Sequence, residues 1–252
     1  MRVRLVGLTV SCCAVVLFFS FSGFNQGQSQ ITKVSSGGNL SQSEQDLLNE
    51  INEARARPQA YASYLEKLKP LFNGNEYKSS AGKVFATQEG WSAVDEAIKF
   101  LRDARPIGPL TASQGLCLAA LAHVKDQSST GATGHQSADS TLIEQRVKPF
   151  GSWQGVIGEN LTYGDESARE RLLTWLIDDG FASRGHRNRL MSNDYKVAGI
   201  SCGPHPQFGS MCVIELAGGF TDLKPATIEI NNNTSPGIKS PIKSRKAQAH
   251  RS

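Results

Sequence analysis

Apolar residues recur three and four positions apart along several stretches of the chain, and this spacing predicts amphipathic helices. The clearest stretch places four large apolar side chains on one face: Leu172, Leu173, Trp175 and Leu176. It predicts a helix that begins near Asp165 and ends at Gly180. Ser183 is then expected to be the N-cap of a second, short helix with His186 in its first turn.

The same spacing predicts further helices at residues 43–57, 59–68, 93–104, 110–128 and 139–148. Ser43 is expected to cap the first of these, because the four residues from Ser43 to Asp46 resemble a capping box. Pro58 separates the first two helices. Residues 70–90 show no clear period and are expected to be irregular.

Residues 155–163 alternate between two faces, as a β-strand does. Glu159 falls on the same face as the apolar residues Ile157, Leu161 and Tyr163. A carboxylate on an apolar face must be paired, hydrogen-bonded or protonated. Glu159 is therefore a candidate for a structural or a chemical role.

Two apolar runs, residues 195–201 and 211–220, predict further strands joined by a turn. Cys202 and Cys212 flank that turn, so a disulfide across the hairpin is predicted in an oxidising compartment. Cys117 sits in an apolar helical pattern and is expected to be a buried free thiol.

The chain has 252 residues, of which 39% are hydrophobic and 20% are charged, and this composition suits one large globular domain. The formal net charge is +4. Residues 1–30 and 236–252 hold basic side chains and no acid, so the body between them is net acidic. The isoelectric point near 8.8 is thus a property of the ends. Nucleic-acid binding by the body is not expected.

Residues 1–24 are predicted to be a signal peptide, because Arg2 and Arg4 precede an uncharged apolar run that ends at Phe24. The run is almost long enough to span a bilayer, so an uncleaved N-terminal membrane anchor stays open as the alternative. The expected location is accordingly secreted or extracytoplasmic. The rest of the chain divides by composition into a flexible linker at 25–41, a folded domain at 42–222 and a disordered basic tail at 223–252.

Four side chains suited to metal binding or proton transfer lie on three of these elements: His135, Glu159, Asp178 and His186. Asp178 and Asp179 end a predicted helix, where the dipole disfavours each negative charge by about 0.3–1 kcal/mol. His186 begins the next helix, where the dipole favours the neutral ring that a metal needs. These acids and this histidine thus stand at helix ends where the dipole disfavours their charged forms. Such a placement favours a functional site. Asp179 stays open as a competitor of Asp178.

No local zinc signature accompanies these residues, because the chain has neither a His-Glu-x-x-His nor a Cys-x-x-Cys motif. Arg184 and Arg187 flank His186. They are expected to form a solvated face, while binding of an anionic group or pairing with Asp179 stays open.

Five short segments follow one another along the chain: Ile51 to Tyr61, Gly134-His135, Gly158-Glu159-Asn160, Asp178-Asp179-Gly180 and Arg184 to Arg187. In this order they resemble the CAP superfamily, which groups cysteine-rich secretory proteins, antigen 5 and pathogenesis-related 1 proteins. The resemblance covers about residues 43–220 and is closest to the bacterial-type secreted branch. It implies an α+β fold, namely an α-β-α sandwich in which a central antiparallel sheet lies between helical layers.

The resemblance also implies an open cleft lined by two histidines and two acids. By position, His135 and His186 are the histidines and the expected ligands of a divalent metal, Zn²⁺ or Mg²⁺. Glu159 is the first acid and Asp178 takes the place of the second, where the animal and plant pattern usually has Glu. In an enzyme these two acids would be the catalytic residues that orient or deprotonate a metal-bound water.

Three functions are compatible with a His/acid cleft that lacks a recognisable nucleophile. The leading one is a secreted CAP-domain protein that binds a divalent metal and a small or extended ligand, whether small molecule, lipid or peptide, without established catalysis. The first alternative is a metal-assisted hydrolase of peptides or cell-envelope material. The second is an envelope-binding or adhesion module whose basic tail contacts an anionic envelope or membrane surface.

Overall fold

The computed structural model describes residues 39–79 and 82–223. The predicted signal peptide or anchor at 1–24, the linker up to residue 38 and the basic tail from residue 224 onward lie outside the described residues. Within the described ranges, no helix is long and apolar enough to cross a bilayer.

The described chain forms seven α-helices: α1 (Gln42–Ala56), α2 (Pro58–Glu66), α3 (Trp91–Asp103), α4 (Gln114–Thr130), α5 (Ile143–Arg146), α6 (Ala168–Ile177) and α7 (Gly185–Leu190). Ser41, and not the predicted Ser43, is the N-cap of α1, and it forms a capping box with Glu44. Pro58 occupies the first turn of α2, where its missing N–H costs no hydrogen bond. The helix predicted at 139–148 is shorter than expected, since only the four residues of α5 are helical.

Seven strands accompany the helices: β1 (Phe72–Asn73), β2 (Glu76–Lys78), β3 (Val84–Ala86), β4 (Thr111–Ala112), β5 (Gly151–Tyr163), β6 (Val197–His205) and β7 (Gly209–Asp222). The main sheet has the order β4-β6-β7-β5. Its three long strands pair antiparallel, as predicted, while the short β4 runs parallel to β6.

Helices cover both faces of the main sheet, and this confirms the predicted α-β-α sandwich. Alternate residues of β7 face opposite layers. Ile214 and Leu216 belong to the larger core, which contains residues of α1, α2, α3 and α6. Val213 and Ala217 pack instead with residues of α4 and the α5 region. The odd-numbered positions of β7 therefore lie under α4 and α5.

The expectation of irregular structure at residues 70–90 is wrong. Strands β1, β2 and β3 form a second, antiparallel sheet of three strands. Phe72 pairs with Tyr77, and Tyr77 pairs with Phe85, so the three rings share one face. Their centroids are 5.0 Å and 5.9 Å apart. We call these three residues the aromatic row.

The predicted disulfide is present. Cys202 and Cys212 are register partners on β6 and β7, and they are joined through their sulfur atoms. Cys117 is a buried free thiol, as predicted. The bond therefore links the two central strands of the main sheet.

Candidate functional site

A cleft of about 420 Å³ lies between the small sheet, helix α6, the loop that carries His135 and the start of α7, which carries His186. His135, Asp178 and His186 line it, and Glu159 lies outside its lining. The aromatic row forms part of one wall. The cleft thus brings both histidines of the sequence prediction together with an apolar surface.

Asp178 holds His186 in place. It is the C-cap of α6 with φ of 55°, a left-handed conformation, and only 1% of it is exposed. Its Oδ1 lies 2.6 Å from His186 Nδ1, while Oδ2 accepts hydrogen bonds from the backbone N–H of His186 at 2.9 Å and of Arg187 at 3.3 Å. The carboxylate therefore supplies the cap that α7 lacks at Arg184, and the predicted cap at Ser183 is wrong.

Asp179 does not compete for this position. Its carboxylate accepts hydrogen bonds from the backbone N–H of Gln88 at 2.6 Å and of Glu89 at 2.8 Å. It thereby ties the end of α6 to the chain that leads from the small sheet into α3. Of the two acids left open by the sequence, Asp178 is the one beside His186.

Glu159 holds His135 in a similar way. His135 Nδ1 lies 2.7 Å from Glu159 Oε1, and the other carboxylate oxygen accepts a hydrogen bond from the Arg146 guanidinium. The glutamate is 3% exposed, whereas 49% of the His135 side chain is exposed. Glu159 is therefore an anchor beneath the cleft, and the imidazole is the part that reaches it.

A second set of contacts fixes the loop of His135. The backbone N–H of Gly134 donates to the Tyr163 hydroxyl at 2.8 Å. The Gly134 carbonyl accepts a hydrogen bond from Gln127 Nε2 at 2.6 Å and lies 3.0 Å from His123 Nε2. Both of these residues belong to α4. Two buried side chains of α4 thus position the loop of the histidine.

Glu215 and Arg146 complete a buried polar cluster that sequence reasoning missed. Glu215 is the register partner of Glu159 and is fully buried. Arg146 Nε and Nη2 each lie 3.4 Å from Glu215 Oε1. Its Nη1 donates to Ser137 Oγ at 3.0 Å. One guanidinium therefore faces two buried carboxyl groups.

Burial controls the protonation of this cluster. It raises the pKa of Glu159 to about 7 and that of Glu215 well above its usual value, because the low-dielectric interior disfavours the charged form. The Glu159 charge raises the pKa of Glu215 further, while Arg146 opposes both shifts. Burial also lowers the pKa of His123 to about 4. We infer that Glu215 keeps the proton of the pair at neutral pH.

Burial also lowers the pKa of His135, and the positive charges of Arg189 and Arg146 act in the same direction, while Glu215 opposes the shift where it is ionised. The ring is therefore neutral at neutral pH. A neutral imidazole is the form that binds a metal ion.

Arg184 and Arg187 are not a solvated face, and that expectation is wrong. They are 8% and 1% exposed. Arg184 pairs with Glu89 and with Glu96, each at 2.6 Å, and Arg187 pairs with Glu96 at 2.9 Å. Arg184 lowers the pKa of Glu89 to about 2 by hydrogen bonding to its carboxylate. These pairs fasten the His186 segment to α3 and its preceding turn.

The donor set fits a metal ion only in part. In the described ranges, no group of three or more His, Cys, Asp or Glu residues is arranged to hold one. Each imidazole Nδ1 is held by its own carboxylate, the arrangement that metal-binding histidines commonly use. The Nε2 atoms of His135 and His186 are left for a ligand, so the protein offers two donors at most.

The family model of the cysteine-rich secretory protein family, CAP, matches residues 48–216. The chain therefore belongs to this family. No curated protein sequence matches it.

Solved structures with a similar fold include three bacterial proteins. An extracellular protein with an SCP domain from Bacillus anthracis is 21% identical, with 60% of this chain and 43% of that chain covered and a TM-score of 0.36. An outer surface protein from Borrelia burgdorferi is 18% identical, with 50% and 87% covered and a TM-score of 0.37. A cysteine-rich secretory protein from Staphylococcus aureus is 14% identical, with 62% and 48% covered and a TM-score of 0.33. The match thus spans less than half of the first and third proteins.

Proposed function

We propose that this chain is a secreted CAP-domain protein whose cleft binds a divalent cation at His135 and His186 and an extended, mainly apolar ligand along the aromatic row. One observation carries the proposal: both imidazoles line the same cleft, and each is oriented by a buried carboxylate at Nδ1. A carboxylate that accepts the Nδ1 proton leaves Nε2 as the metal-binding nitrogen.

Zn²⁺ suits these donors better than Mg²⁺, because imidazole nitrogen is a preferred zinc ligand and magnesium prefers oxygen. Two protein ligands are fewer than the three typical of catalytic zinc. Water or the bound ligand would fill the other positions. The expected cation is therefore weakly held and exchangeable.

The contacts favour a positioning role for the two acids. Both oxygens of Glu159 are engaged, one by His135 and one by Arg146. Both oxygens of Asp178 are engaged by His186 and the start of α7. Neither acid presents an unused oxygen to a substrate water, so binding without catalysis is the function that the geometry supports best. The catalytic role predicted for these residues stays a prediction.

Secretion is proposed on two grounds. The Cys202–Cys212 disulfide is typical of an oxidising compartment. The basic and apolar N-terminal sequence has the form of an export signal.

The metal content of untagged, purified protein after incubation with Zn²⁺ tests the cation site. We expect wild type to bind one Zn²⁺ that the double variant His135→Ala/His186→Ala loses. His250→Ala, which removes a histidine of the predicted basic tail, is the matched control and should bind like wild type. Equal zinc content in wild type and the double variant would refute the proposed site.

A further inference from the structure

Glu166 is a cleft residue, and one of its carboxyl oxygens lacks a hydrogen-bond partner. It lies between β5 and α6, and its side chain lines the cleft. Its Oε2 is buried and has no hydrogen-bond partner. A buried carboxyl oxygen without a partner is costly, and such an atom in a native protein calls for an explanation.

The neighbours of Glu166 do not supply the missing bond. Arg171 donates to Thr162 Oγ1, to the Gly164 carbonyl and to Ser210 Oγ, at 2.6 to 2.7 Å. The Glu170 carboxylate is engaged in the capping box of Ser167. Burial raises the pKa of Glu166, and Glu170 adds to the shift, while the charges of Arg171 and Lys83 oppose it. The carboxyl group is therefore desolvated in a setting that leaves one oxygen unused.

The charges around the cleft favour a cation at this oxygen. The cleft is lined by Glu166, Glu170, Asp178 and Asp179, but by one basic side chain, Arg189, among the described residues. Both oxygens of Asp178 and of Asp179 are occupied by protein donors, and Glu170 Oε2 accepts the hydrogen bonds of its capping box. Arg189 donates to Asn160 Oδ1 at 3.3 Å. Glu166 is thus the acid of the cleft wall with an unused buried oxygen.

The apolar wall of the cleft favours a ligand whose body is apolar. The aromatic row, Phe72, Tyr77 and Phe85, lines the same cleft as Glu166. Lys83, one residue before β3, is close enough to affect the Glu166 carboxyl electrostatically. One ligand in the cleft can therefore contact both the Glu166 side chain and the aromatic row.

We propose that Glu166 binds a primary ammonium group of a ligand whose apolar body lies along the aromatic row. This inference rests on the apolar-ligand part of the proposed function and adds the charge of the ligand. Because Oε2 is buried, the side chain must turn towards the cleft, where an ammonium group would give Oε2 its missing hydrogen bond and neutralise the carboxylate. Charge-assisted hydrogen bonds in a desolvated site contribute enough to distinguish an amine from an alcohol of equal chain length.

Calorimetric titration with decylammonium and decanoate below their micelle concentrations, and with decanol below its solubility limit, tests the inference. Wild type should bind decylammonium about tenfold or more tightly than decanol, and decanoate most weakly. Glu166→Gln should reduce the preference for the amine over the alcohol to within about twofold. Glu76→Gln, on an exposed residue of β2 outside the cleft lining, is the matched control and should keep the preference.

Glu166→Leu is a second variant that guards against misfolding of the first, because it removes a buried acid that has no hydrogen-bond partner at Oε2. It should stay folded and also lose the preference for the amine. A preference for decylammonium that survives in both variants overturns the inference, and so does equal binding of all three probes by wild type. Binding of none of them, with zinc binding at the histidines intact, refutes both the inference and the apolar-ligand part of the proposed function.

Discussion

Glu159 and Glu215 are register partners on neighbouring strands, and both carboxyl groups are buried against the same guanidinium, that of Arg146. Glu159 in turn holds the His135 ring. Two buried acids that share one base are stable only when one of them keeps a proton. The orientation of a cleft histidine therefore depends on a residue, Glu215, that lies outside the cleft lining.

Glu215→Gln is expected to become more stable relative to wild type as the pH rises from about 4.5 towards neutrality. The pKa of Glu215 in the folded state lies well above its usual value of 4.5. Across that interval the folded state keeps a proton that the unfolded state has lost, so wild type loses stability as the pH rises. Glutamine does not titrate.

Urea unfolding of both proteins at several pH values between about 5 and 8 measures this effect. The difference in the free energy of unfolding between Glu215→Gln and wild type should change by at most about 1.4 kcal/mol per pH unit. Parallel stability curves for the two proteins would show that Glu215 is ionised in the folded state. Glu76→Gln controls for the loss of an exposed carboxylate.

Arg146→Met is expected to lower the free energy of unfolding by about 3–5 kcal/mol at neutral pH, because it leaves two buried acids without their cation. Adding Glu215→Leu should recover part of that loss, since only Glu159 then lacks the Arg146 cation. Denaturant unfolding of the single and double variants measures both effects. A double variant less stable than Arg146→Met alone would contradict the proposed dependence of Glu215 on Arg146.

Local patterns in the sequence predicted the elements that carry the two acids. Helix α6 has a long apolar face, and alternation along β5 placed Glu159 on the buried side. The small sheet escaped prediction because strands of two or three residues are too short to show a period. The aromatic row depends on pairing between these strands, and a single sequence does not show that pairing.

Buried charged residues were the second feature that the sequence did not predict. Arg184 and Arg187 resembled a solvated face because their partners, Glu89 and Glu96, lie about 90 positions earlier in the chain. Glu215 did carry a signal, because it is the single acid in the otherwise apolar run from Met211 to Leu216. An acid inside a buried strand requires a buried partner.

Replacing both disulfide cysteines, Cys202→Ser with Cys212→Ser, is expected to lower the free energy of unfolding by about 2–3 kcal/mol, the loop-closure value for a short loop. The two residues are 10 positions apart. Reduction of wild type before denaturant unfolding should give a similar loss. Cys117→Ser, which keeps the disulfide, serves as the comparison, and reductant should lower its free energy of unfolding by the same amount as in wild type.

Asp178→Asn is expected to lower the affinity for Zn²⁺ by about 10- to 100-fold, the usual effect of losing the carboxylate behind a metal-binding histidine. The asparagine oxygen can accept only part of the present set of hydrogen bonds, and its NH₂ group would face His186 Nδ1. The ring proton would then move to Nε2, the nitrogen that the cation needs. Nitrogen chemical shifts of the His186 ring report this tautomer without any metal present.

Asp179→Asn is the matched control, because that acid binds the backbone of Gln88 and Glu89 and not a histidine. It should leave the tautomer of His186 and the zinc affinity unchanged, even if it loosens the small sheet. An unchanged tautomer in Asp178→Asn would contradict the positioning role of Asp178. A changed tautomer with unchanged zinc affinity would keep that role and remove His186 from the cation site.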